Sequence, residues 1–234
     1  MNKLIVVTGG TKGIGRAILE CFAKAGFDVV TCARNEDELK ALKETFESSF
    51  SIKVFIKVAD MSIKEQVKSF TEFVCALGRP VDVLVNNAGY FLPGSVIEEQ
   101  EGSLESMISS NVFSAYYTTR GLVKEMIKLK SGHIFNMCSI ASIKAYPNGG
   151  SYAISKFALL GFSKVLREEL QDHGIRVTAI LPGATRTASW DGVKLPDERF
   201  IKVEDIAETI FAAYSLSKRS VIEEILIRPQ LGDI

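Results

Sequence analysis

Leu4-Ile-Val-Val-Thr-Gly-Gly-Thr-Lys-Gly-Ile-Gly15 stands near the start of this 234-residue chain. Its first part, Leu4 to Thr8, is an apolar, β-branched run typical of a strand that is buried on both faces. Its second part carries glycines at positions 9, 13 and 15. An amphipathic pattern then runs from Arg16 to Ala25 and ends at Gly26, as a helix would. The order of strand, glycine turn and helix predicts the first βα unit of a parallel sheet.

The same alternation continues along the chain. Further strands are predicted at Val29–Cys32, Lys53–Ala59, Val81–Val85, His133–Met137, Val177–Leu181 and Ile222–Ile227. Helices are predicted at Glu36–Glu47, after a capping box at Ser62–Glu65, and at Leu104–Lys130, Tyr152–Gln171 and Val203–Leu216. Strict alternation of strands and helices predicts a parallel sheet with helices on both faces. We therefore expect an α/β fold, a Rossmann-type doubly wound parallel sheet, with residues 1–234 forming a single domain.

Composition excludes several classes of protein. With 28 basic and 28 acidic residues the formal net charge is zero, which argues against nucleic acid or an anionic membrane as the main partner. No apolar run approaches the ~18 residues of a membrane span, and the first strand begins too early to leave room for a signal peptide. The four cysteines are scattered over predicted helices and strands, which predicts buried free thiols and a cytoplasmic location. The two histidines are isolated, so no metal site is expected.

A second stretch, Ser139 to Lys156, carries the candidate chemistry. Tyr152 and Lys156 are four positions apart, so they share one face of a helix. A free tyrosine has a pKa of about 10, which is too high for acid–base work at neutral pH. A positive charge about 5 Å away is worth roughly 3 kcal/mol, or about two pKa units, and is expected to lower the pKa of Tyr152 into a useful range. An isolated Tyr-x-x-x-Lys is more often surface chemistry, so the assignment depends on neighbouring signals.

Those signals converge on one edge of the predicted sheet. Parallel sheets bind ligands at the carboxyl ends of their strands. The glycine turn, Asn86–Gly89, Ser139 and Pro182-Gly183 all follow strands at that edge, and the helix carrying Tyr152 rises from it. A glycine turn lets the backbone approach a pyrophosphate closely, and the helix after it presents N–H donors. A plain tight turn is the alternative interpretation of the glycines alone.

In this order the motifs resemble the short-chain dehydrogenase/reductase (SDR) family. The resemblance rests on Thr8-Gly9-x-x-x-Gly13-x-Gly15, Asn86-Asn-Ala-Gly89, Asn111, Ser139, Tyr152, Lys156 and Pro182-Gly183, and it covers essentially the whole chain. It implies a Rossmann-type fold, a nicotinamide cofactor and hydride transfer between that cofactor and a small-molecule carbonyl or alcohol. It also implies a homodimer or homotetramer built through the two long helices, Leu104–Lys130 and Tyr152–Gln171.

The resemblance implies roles for individual residues. Tyr152 would exchange a proton with the substrate oxygen, Ser139 would hydrogen-bond that oxygen, and Lys156 would lower the pKa of Tyr152 and hold the nicotinamide ribose. Asn111 would hold a water of a proton relay, although it could instead be a helix-surface amide. Cofactor contacts are implied for Gly9, Thr11, Lys12, Gly13, Ile14, Gly15, Arg34, Asp60, Met61, Asn87, Ala88, Gly89, Tyr152, Lys156, Pro182, Gly183, Thr185 and Thr187. Asp60 could alternatively serve only as a turn-former.

The residues after the second strand indicate which nicotinamide is bound. An NAD site usually places an acid about 20 residues past the glycines, but Cys32-Ala33-Arg34 has no acid there. Arg34 and Lys12 instead offer two cations beside the adenosine ribose, which suits a 2′-phosphate and resembles the NADP(H)-preferring members of the family. Both could also be solvated surface charges. We expect NADP(H) as the cofactor.

Substrate identity stays open. A 3-oxoacyl thioester reductase is one specific alternative, and a non-catalytic NADP(H)-sensing protein is another, although such proteins typically lose the tyrosine or lysine. Enoyl reductases space that pair more widely, and sugar-nucleotide epimerases carry a larger C-terminal domain, so the resemblance disfavours both. The expected pocket wall is mostly apolar and consists of Phe91, Ala141, Ile143, Tyr146, Pro147 and Trp190.

Overall fold

The computed structural model describes residues 1–190 and 192–234. Seven strands are found in this part of the chain: β1 Leu4–Thr8, β2 Asp28–Ala33, β3 Val54–Val58, β4 Val83–Asn86, β5 Gly132–Met137, β6 Ile175–Pro182 and β7 Glu224–Ile227. The α-helices between them are α1 Gly13–Lys24, α2 Glu36–Ser49, α3 Lys64–Ala76, α4 Ser103–Ile108, α5 Ser114–Leu129, α6 Gly150–Leu170 and α7 Val203–Ser215. No helix among the described residues has both the length and the apolar character to cross a bilayer.

The strands form one parallel sheet in the order β3-β2-β1-β4-β5-β6-β7. β1 pairs with β2 on one side and with β4 on the other, so the chain reverses its direction of winding between β1 and β4. A crevice at such a reversal is where open α/β sheets bind ligands. The Rossmann-type doubly wound fold predicted from the alternation is confirmed.

The apolar character of β1 has a direct structural cause. Ile5 and Val7 face a core layer covered by α1, α2 and α7, and Leu4 and Val6 face a second layer covered by α3, α5 and α6. All four side chains are 0% exposed. A strand buried on both faces cannot alternate polar and apolar residues, which is why this run is continuously hydrophobic.

Two local predictions differ from the structure. The Ser62 hydroxyl donates to Asp60 Oδ1 at 2.7 Å, and α3 begins at Lys64 with no side-chain cap, so the capping box at Ser62–Glu65 is wrong. The Leu104–Lys130 segment is not one regular helix, because a π-helical turn at Ser109–Phe113 lies between α4 and α5. Neither turn chemistry nor a π-helical turn has a strong periodic signal.

The cysteines also depart in part from expectation. Cys32 and Cys138 are buried free thiols, as predicted, and Cys21 is partly buried. Cys75 is exposed on α3, so burial is wrong for this residue. Among the described residues, no three or more His, Cys, Asp or Glu side chains cluster in a way that could hold a metal ion.

His133 on β5 gives the fold a testable acid sensitivity. Its side chain is 0% exposed, and its Nε2 lies 2.7 Å from Thr178 Oγ1, which itself donates to the Ile222 carbonyl at 2.6 Å. Nε2 is therefore the donor, and the buried Nδ1 has no hydrogen-bond partner. Burial, with a smaller contribution from Arg176, lowers the pKa of His133 from 6.5 to about 2.

We expect His133 to destabilise the fold as pH falls below 6.5. In that range the unfolded histidine takes up a proton and the folded one does not, so stability falls by about 1.4 kcal/mol per pH unit. Between pH 6.5 and 4.5 this amounts to roughly 2–3 kcal/mol. Urea unfolding across this window measures the slope, and His133→Gln should remove most of it. His173→Gln, at an exposed position, is the matched control; equal slopes in wild type and His133→Gln would contradict the assignment.

Candidate active site

The predicted site residues gather at the carboxyl edge of the sheet, around the crevice between β1 and β4. The glycine turn after β1 requires glycine at two positions for different reasons. Gly9 has φ +70°, in the left-handed region that favours glycine. A Cβ on Gly15 would lie 2.4 Å from the Gly9 carbonyl oxygen and 2.5 Å from Asn87 Nδ2, so only glycine lets α1 begin this close to the turn.

Thr8 locks the turn to the segment that follows β4. Its Oγ1 accepts from the N–H groups of Asn87 and Ala88, both at 3.0 Å. Asn87 Nδ2 in return donates to the carbonyls of Thr8 at 2.9 Å and Gly9 at 3.0 Å. These bonds fix the floor of the crevice. No role was predicted for Thr8, although a hydroxyl at the last position of the first strand is a signal for one.

The N-terminus of α1 is open to an anion. Lys12 at its N-cap makes no side-chain capping bond, and the first turn contains no acidic residue. Thr11 and Ile14 flank this end, and Ile14 packs on the core layer beneath it. An uncapped helix N-terminus beside a glycine turn offers free N–H donors and a positive dipole end, which fits a pyrophosphate.

The two predicted cations lie at the adenosine side, but they are not equivalent. Arg34 is exposed directly after β2. Lys12 Nζ lies 2.7 Å from Glu38 Oε1, in a pair whose lysine side chain is 71% exposed. Lys12 thus already has a counter-ion within the chain. Arg34 is also close enough to Asp60 for its charge to act on the pKa of that carboxyl group.

Asp60 and Met61 follow β3 at the same edge. Although partial burial acts to raise it, the pKa of Asp60 is lowered by hydrogen bonds from the Ser62 hydroxyl and backbone N–H, with a further contribution from Arg34. Asp60 Oδ1 accepts both Ser62 bonds, which is the geometry of a turn-former. Met61 is 7% exposed and belongs to the core layer that includes α3. Asp60 therefore does act as a turn-former, and any contact with the cofactor would be a second role.

Tyr152, Ser139 and Lys156 form the candidate catalytic group. Ser139 is 8% exposed and lies two residues past the end of β5, with its Oγ accepting from Ala141 N–H at 3.1 Å. Lys156 is 7% exposed, and its Nζ lies 5.6 Å from the centre of the Tyr152 ring. That Nζ donates to the Met137 carbonyl at 2.7 Å, so β5 and α6 are tied together beneath the tyrosine.

The pKa of Tyr152 does not shift in the expected direction. Burial raises it, a hydrogen bond with Ser139 opposes that rise, and the net change is upward. Burial also lowers the pKa of Lys156 from 10.5 to about 8, with Cys138 opposing. The prediction that a nearby charge alone would lower the tyrosine pKa neglected the cost of removing both groups from water. In this arrangement the phenol holds its proton at neutral pH.

Asn111 lies in the π-helical turn between α4 and α5 and is 1% exposed, so it is not a helix-surface amide. Its Oδ1 accepts from Tyr90 N–H at 2.9 Å, and its Nδ2 donates to the Tyr90 carbonyl at 3.1 Å and to Ser155 Oγ at 2.9 Å. The side chain thus joins the segment after β4 to α6. It cannot also hold a relay water with its amide hydrogens while these bonds are made, since both are used.

The segment after β6 closes the crevice from the other side. Pro182 is buried at the end of β6, and Gly183 N–H donates to the Ile227 carbonyl at 2.7 Å. Thr185 is 5% exposed and bridges to Ile201. The Thr187 side chain reaches the glycine turn, where a Cβ on Gly13 would lie 3.4 Å from its Cγ2. Gly89 lies even closer to Asn111, because a Cβ on Gly89 would be 2.5 Å from Asn111 Oδ1.

The expected pocket wall is assembled only in part. Phe91 packs edge-on to the Tyr152 ring, with ring centres 4.8 Å apart. Tyr146 lies close enough to Tyr152 for the two phenols to interact. Burial, with a smaller contribution from Tyr152, raises the pKa of Tyr146 to about 12. Trp190 packs against Phe200, at 5.3 Å between ring centres. The wall beside Tyr152 is thus aromatic on two sides.

Comparison with known proteins agrees with this geometry. A family model described as short chain dehydrogenase matches residues 3–196. The chain is 32% identical to sepiapterin reductase of Chlorobaculum tepidum, over 100% of this chain and 99% of that protein.

Two solved structures are similar throughout. An alcohol dehydrogenase of Thermococcus sibiricus, complexed with 5-hydroxy-NADP, superposes with a TM-score of 0.92 at 27% identity, covering 98% of this chain and 97% of that one. L-Sorbose reductase of Gluconobacter frateurii, complexed with NADPH and L-sorbose, gives a TM-score of 0.90 at 28% identity, covering 97% and 95%. The family model matches most of the chain, and the relatives align with it over nearly their whole length. The chain therefore belongs to the short-chain dehydrogenase family of oxidoreductases.

Proposed function

We propose that this protein is an NADP(H)-dependent reductase that converts a ketone or aldehyde to an alcohol, with Tyr152 as the general acid. The observation that carries the proposal is that Tyr152, Ser139 and Lys156 lie close together at the carboxyl edge of the sheet, the same edge at which the uncapped N-terminus of α1 follows β1. Similar solved structures contain NADP or NADPH, which supports the choice of cofactor.

The residues at the crevice fit a dinucleotide. Gly9, Gly13 and Gly15 with the open end of α1 would hold the pyrophosphate, because Gly15 lets α1 begin close against the turn and the first N–H groups of α1 have no side-chain cap. Arg34 and Lys12 would bind a 2′-phosphate, with Asp60 and Met61 at the adenine. Lys156 would hold the nicotinamide ribose, with Asn87, Ala88 and Gly89 beside it and Pro182, Gly183, Thr185 and Thr187 at the carboxamide. When bound, the reduced nicotinamide supplies the hydride.

The protein's part of the reaction is proton transfer and orientation. The raised pKa of Tyr152 keeps its phenol protonated at neutral pH, so it can donate to a carbonyl oxygen that accepts negative charge. Ser139 would hydrogen-bond the same oxygen, since it lies near enough to the phenol to lower the pKa of Tyr152 against the effect of burial. Donors preorganised around the developing charge lower the barrier without reorganising during the reaction. Phe91 limits water access on one side of the phenol by covering its ring.

The experiment that tests the proposal is NADPH oxidation over a panel of carbonyl compounds. The panel should include aliphatic aldehydes, vicinal diketones, ketoses, pteridine ketones and 3-oxoacyl thioesters, because these span the alternatives in size and polarity. Turnover of at least one class supports a reductase, and the class that is turned over fastest separates a general carbonyl reductase from a thioester reductase. NADPH binding with no turnover of any compound would instead support a sensing protein and contradict the proposal.

We further propose that two copies associate through α5 and α6. Phe113 and Tyr116 near the start of α5 are 46% and 36% exposed, and Ile154 and Phe157 on α6 are 44% and 47% exposed. Tyr116 also contacts Phe162 of α6, with ring centres 5.8 Å apart, so the two helices present one apolar face. A contiguous exposed apolar patch is typical of an interaction surface.

Light scattering should therefore give at least twice the mass of one chain at micromolar concentration. Phe157→Glu places a charge in the proposed interface and should shift the protein toward monomer. Ile97→Glu is the matched control, because Ile97 is 90% exposed in the loop before α4 and lies outside the patch. A monomeric wild type, or the same shift in both variants, would overturn this surface as the interface.

A further inference from the structure

The catalytic helix α6 begins without a cap of its own. Its N-cap is Gly149, which has no side chain to accept from the first-turn N–H groups, and no acidic residue lies in its first turn. Tyr152 is the third residue of this helix, so it stands in the turn where those donors are exposed. Uncapped first turns fray, and fraying here would move the phenol.

Glu99 supplies the missing acceptor from a different part of the chain. It lies in the loop between β4 and α4, where its N–H donates to the Ser95 carbonyl at 2.8 Å. Glu99 Oε1 accepts from Ser151 N–H at 2.7 Å, and Oε2 accepts from the Ser151 hydroxyl. A carboxylate that accepts from a helix N-terminus is doubly favoured, because the bonds are charge-assisted and the charge opposes the helix dipole.

The fit around this carboxylate leaves little freedom. A Cβ on Gly150, which has φ +29°, would lie 1.7 Å from Glu99 Oε1 and 2.4 Å from the Gly94 carbonyl oxygen. The first residue of α6 must therefore be glycine for Glu99 to reach Ser151. Gly94 N–H also donates to the Asn148 carbonyl at 3.1 Å, which holds the same loop against the residues just before the helix.

The loop also touches the reacting ring. Phe91 packs edge-on to Tyr152 at 4.8 Å between ring centres. One segment, residues 91–99, thus contacts α6 at its approach, at its first turn and at the phenol. Because Ser151 immediately precedes Tyr152, the bonds from Glu99 act one residue away from the proposed acid.

We propose that Glu99 is a positioning residue that caps α6 from outside the helix and fixes the Tyr152 phenol for proton transfer. The inference rests on the proposed function, since it assumes that Tyr152 is the acid. Among the described residues the Glu99 carboxylate has hydrogen bonds to Ser151 and none to Tyr152, Ser139 or Lys156, so it acts through Ser151. It should therefore affect turnover and leave NADPH binding unchanged, because small misplacements of a reacting group cost rate rather than cofactor affinity.

The test compares Glu99→Ala with Glu98→Ala, its exposed neighbour in the same loop. Steady-state kinetics are measured at a temperature where both variants are fully folded, together with amide hydrogen exchange of the chain without cofactor. We expect kcat to fall about tenfold or more in Glu99→Ala, with KM for NADPH within about twofold of wild type. Amides at the start of α6 should exchange faster in Glu99→Ala only. Glu99→Gln keeps the length and one acceptor oxygen, so its kcat should lie between wild type and Glu99→Ala.

Two results would overturn the proposal: an unchanged kcat in Glu99→Ala, or a fall in kcat without faster exchange in the first turn of α6. If Glu99→Ala does not fold, Ser151→Ala replaces it, since it removes the hydroxyl bond and keeps the N–H bond; normal kcat and normal exchange in that variant would then count against the proposal. The exchange measurement needs no turnover. If Tyr152→Phe retains activity, the proposed function fails while exchange still reports whether Glu99 caps the helix.

Discussion

Tyr152→Phe should lower carbonyl reduction by at least about 100-fold, the usual scale for loss of a general acid. The substitution removes the phenolic hydroxyl and keeps the ring, so the edge-on contact with Phe91 is preserved. It also leaves the bond from Lys156 Nζ to the Met137 carbonyl intact. The proposed dinucleotide site at the glycine turn is unchanged, and NADPH should therefore bind with near-normal affinity.

The measurement is kcat with the best substrate of the carbonyl panel, paired with NADPH affinity from fluorescence titration. Tyr146→Phe is the matched control, because Tyr146 undergoes the same chemical change near Tyr152 and has no assigned proton-transfer role. We expect Tyr146→Phe to stay within a few-fold of wild type. Near-normal turnover in Tyr152→Phe would remove this tyrosine from the mechanism, and equal losses in both variants would point to packing of the aromatic wall instead.

The features that sequence predicted well are those with a local cause. Leu4 to Thr8 had to be apolar throughout because helices cover both faces of β1, so periodicity alone identified a central strand. Gly15 is fixed by the 2.4 Å approach to the Gly9 carbonyl, a constraint that a glycine pattern between a strand and a helix signals directly. Alternation then gave the parallel sheet, because the crossover rule leaves few other topologies.

The features that sequence missed depend on partners far away in the chain. Glu99 caps a helix 52 residues later, and nothing in its neighbourhood marks it as different from Glu98. Glu38 pairs with Lys12 across 26 positions, so the lysine looked free. The predicted direction of the Tyr152 pKa shift was wrong. The four-residue spacing indicates how far Lys156 lies from Tyr152 but not how deeply either is buried, and burial has the largest effect on the pKa of Tyr152.

The wild-type protein should use NADPH in preference to NADH by roughly 100-fold. A 2′-phosphate carries close to two negative charges, and each charge-assisted hydrogen bond to it is worth about 1.5–3 kcal/mol. A factor of ten corresponds to about 1.4 kcal/mol, so a 100-fold preference needs roughly 2.8 kcal/mol, which solvent-screened contacts from Arg34 and Lys12 together would supply. Arg34 is exposed at the end of β2, whereas Lys12 is already paired with Glu38 at 2.7 Å, so Arg34 should carry the larger share.

Arg34→Ala should therefore raise KM for NADPH by about tenfold or more and barely change KM for NADH, which has no group there for the guanidinium to hold. Ala33→Asp acts by a second route, because its carboxylate would repel the phosphate and accept from the ribose hydroxyls of NADH. The preference should shrink in the first variant and invert in the second. Arg219→Ala, an exposed arginine in the loop before β7 at the opposite edge of the sheet, controls for the loss of one positive charge.

Glu38→Gln separates the two cations. Removing its charge frees Lys12 from its counter-ion, so NADPH should bind more tightly and NADH should not respond. The measurements are kcat/KM with both cofactors and the affinities of 2′,5′-ADP and 5′-ADP, two fragments that differ only in the 2′-phosphate. Equal use of NADH and NADPH by the wild type would contradict the cofactor assignment. If Arg34→Ala affected both cofactors equally, the arginine would not bind the 2′-phosphate. Its role would then be structural, through the interaction of its charge with Asp60.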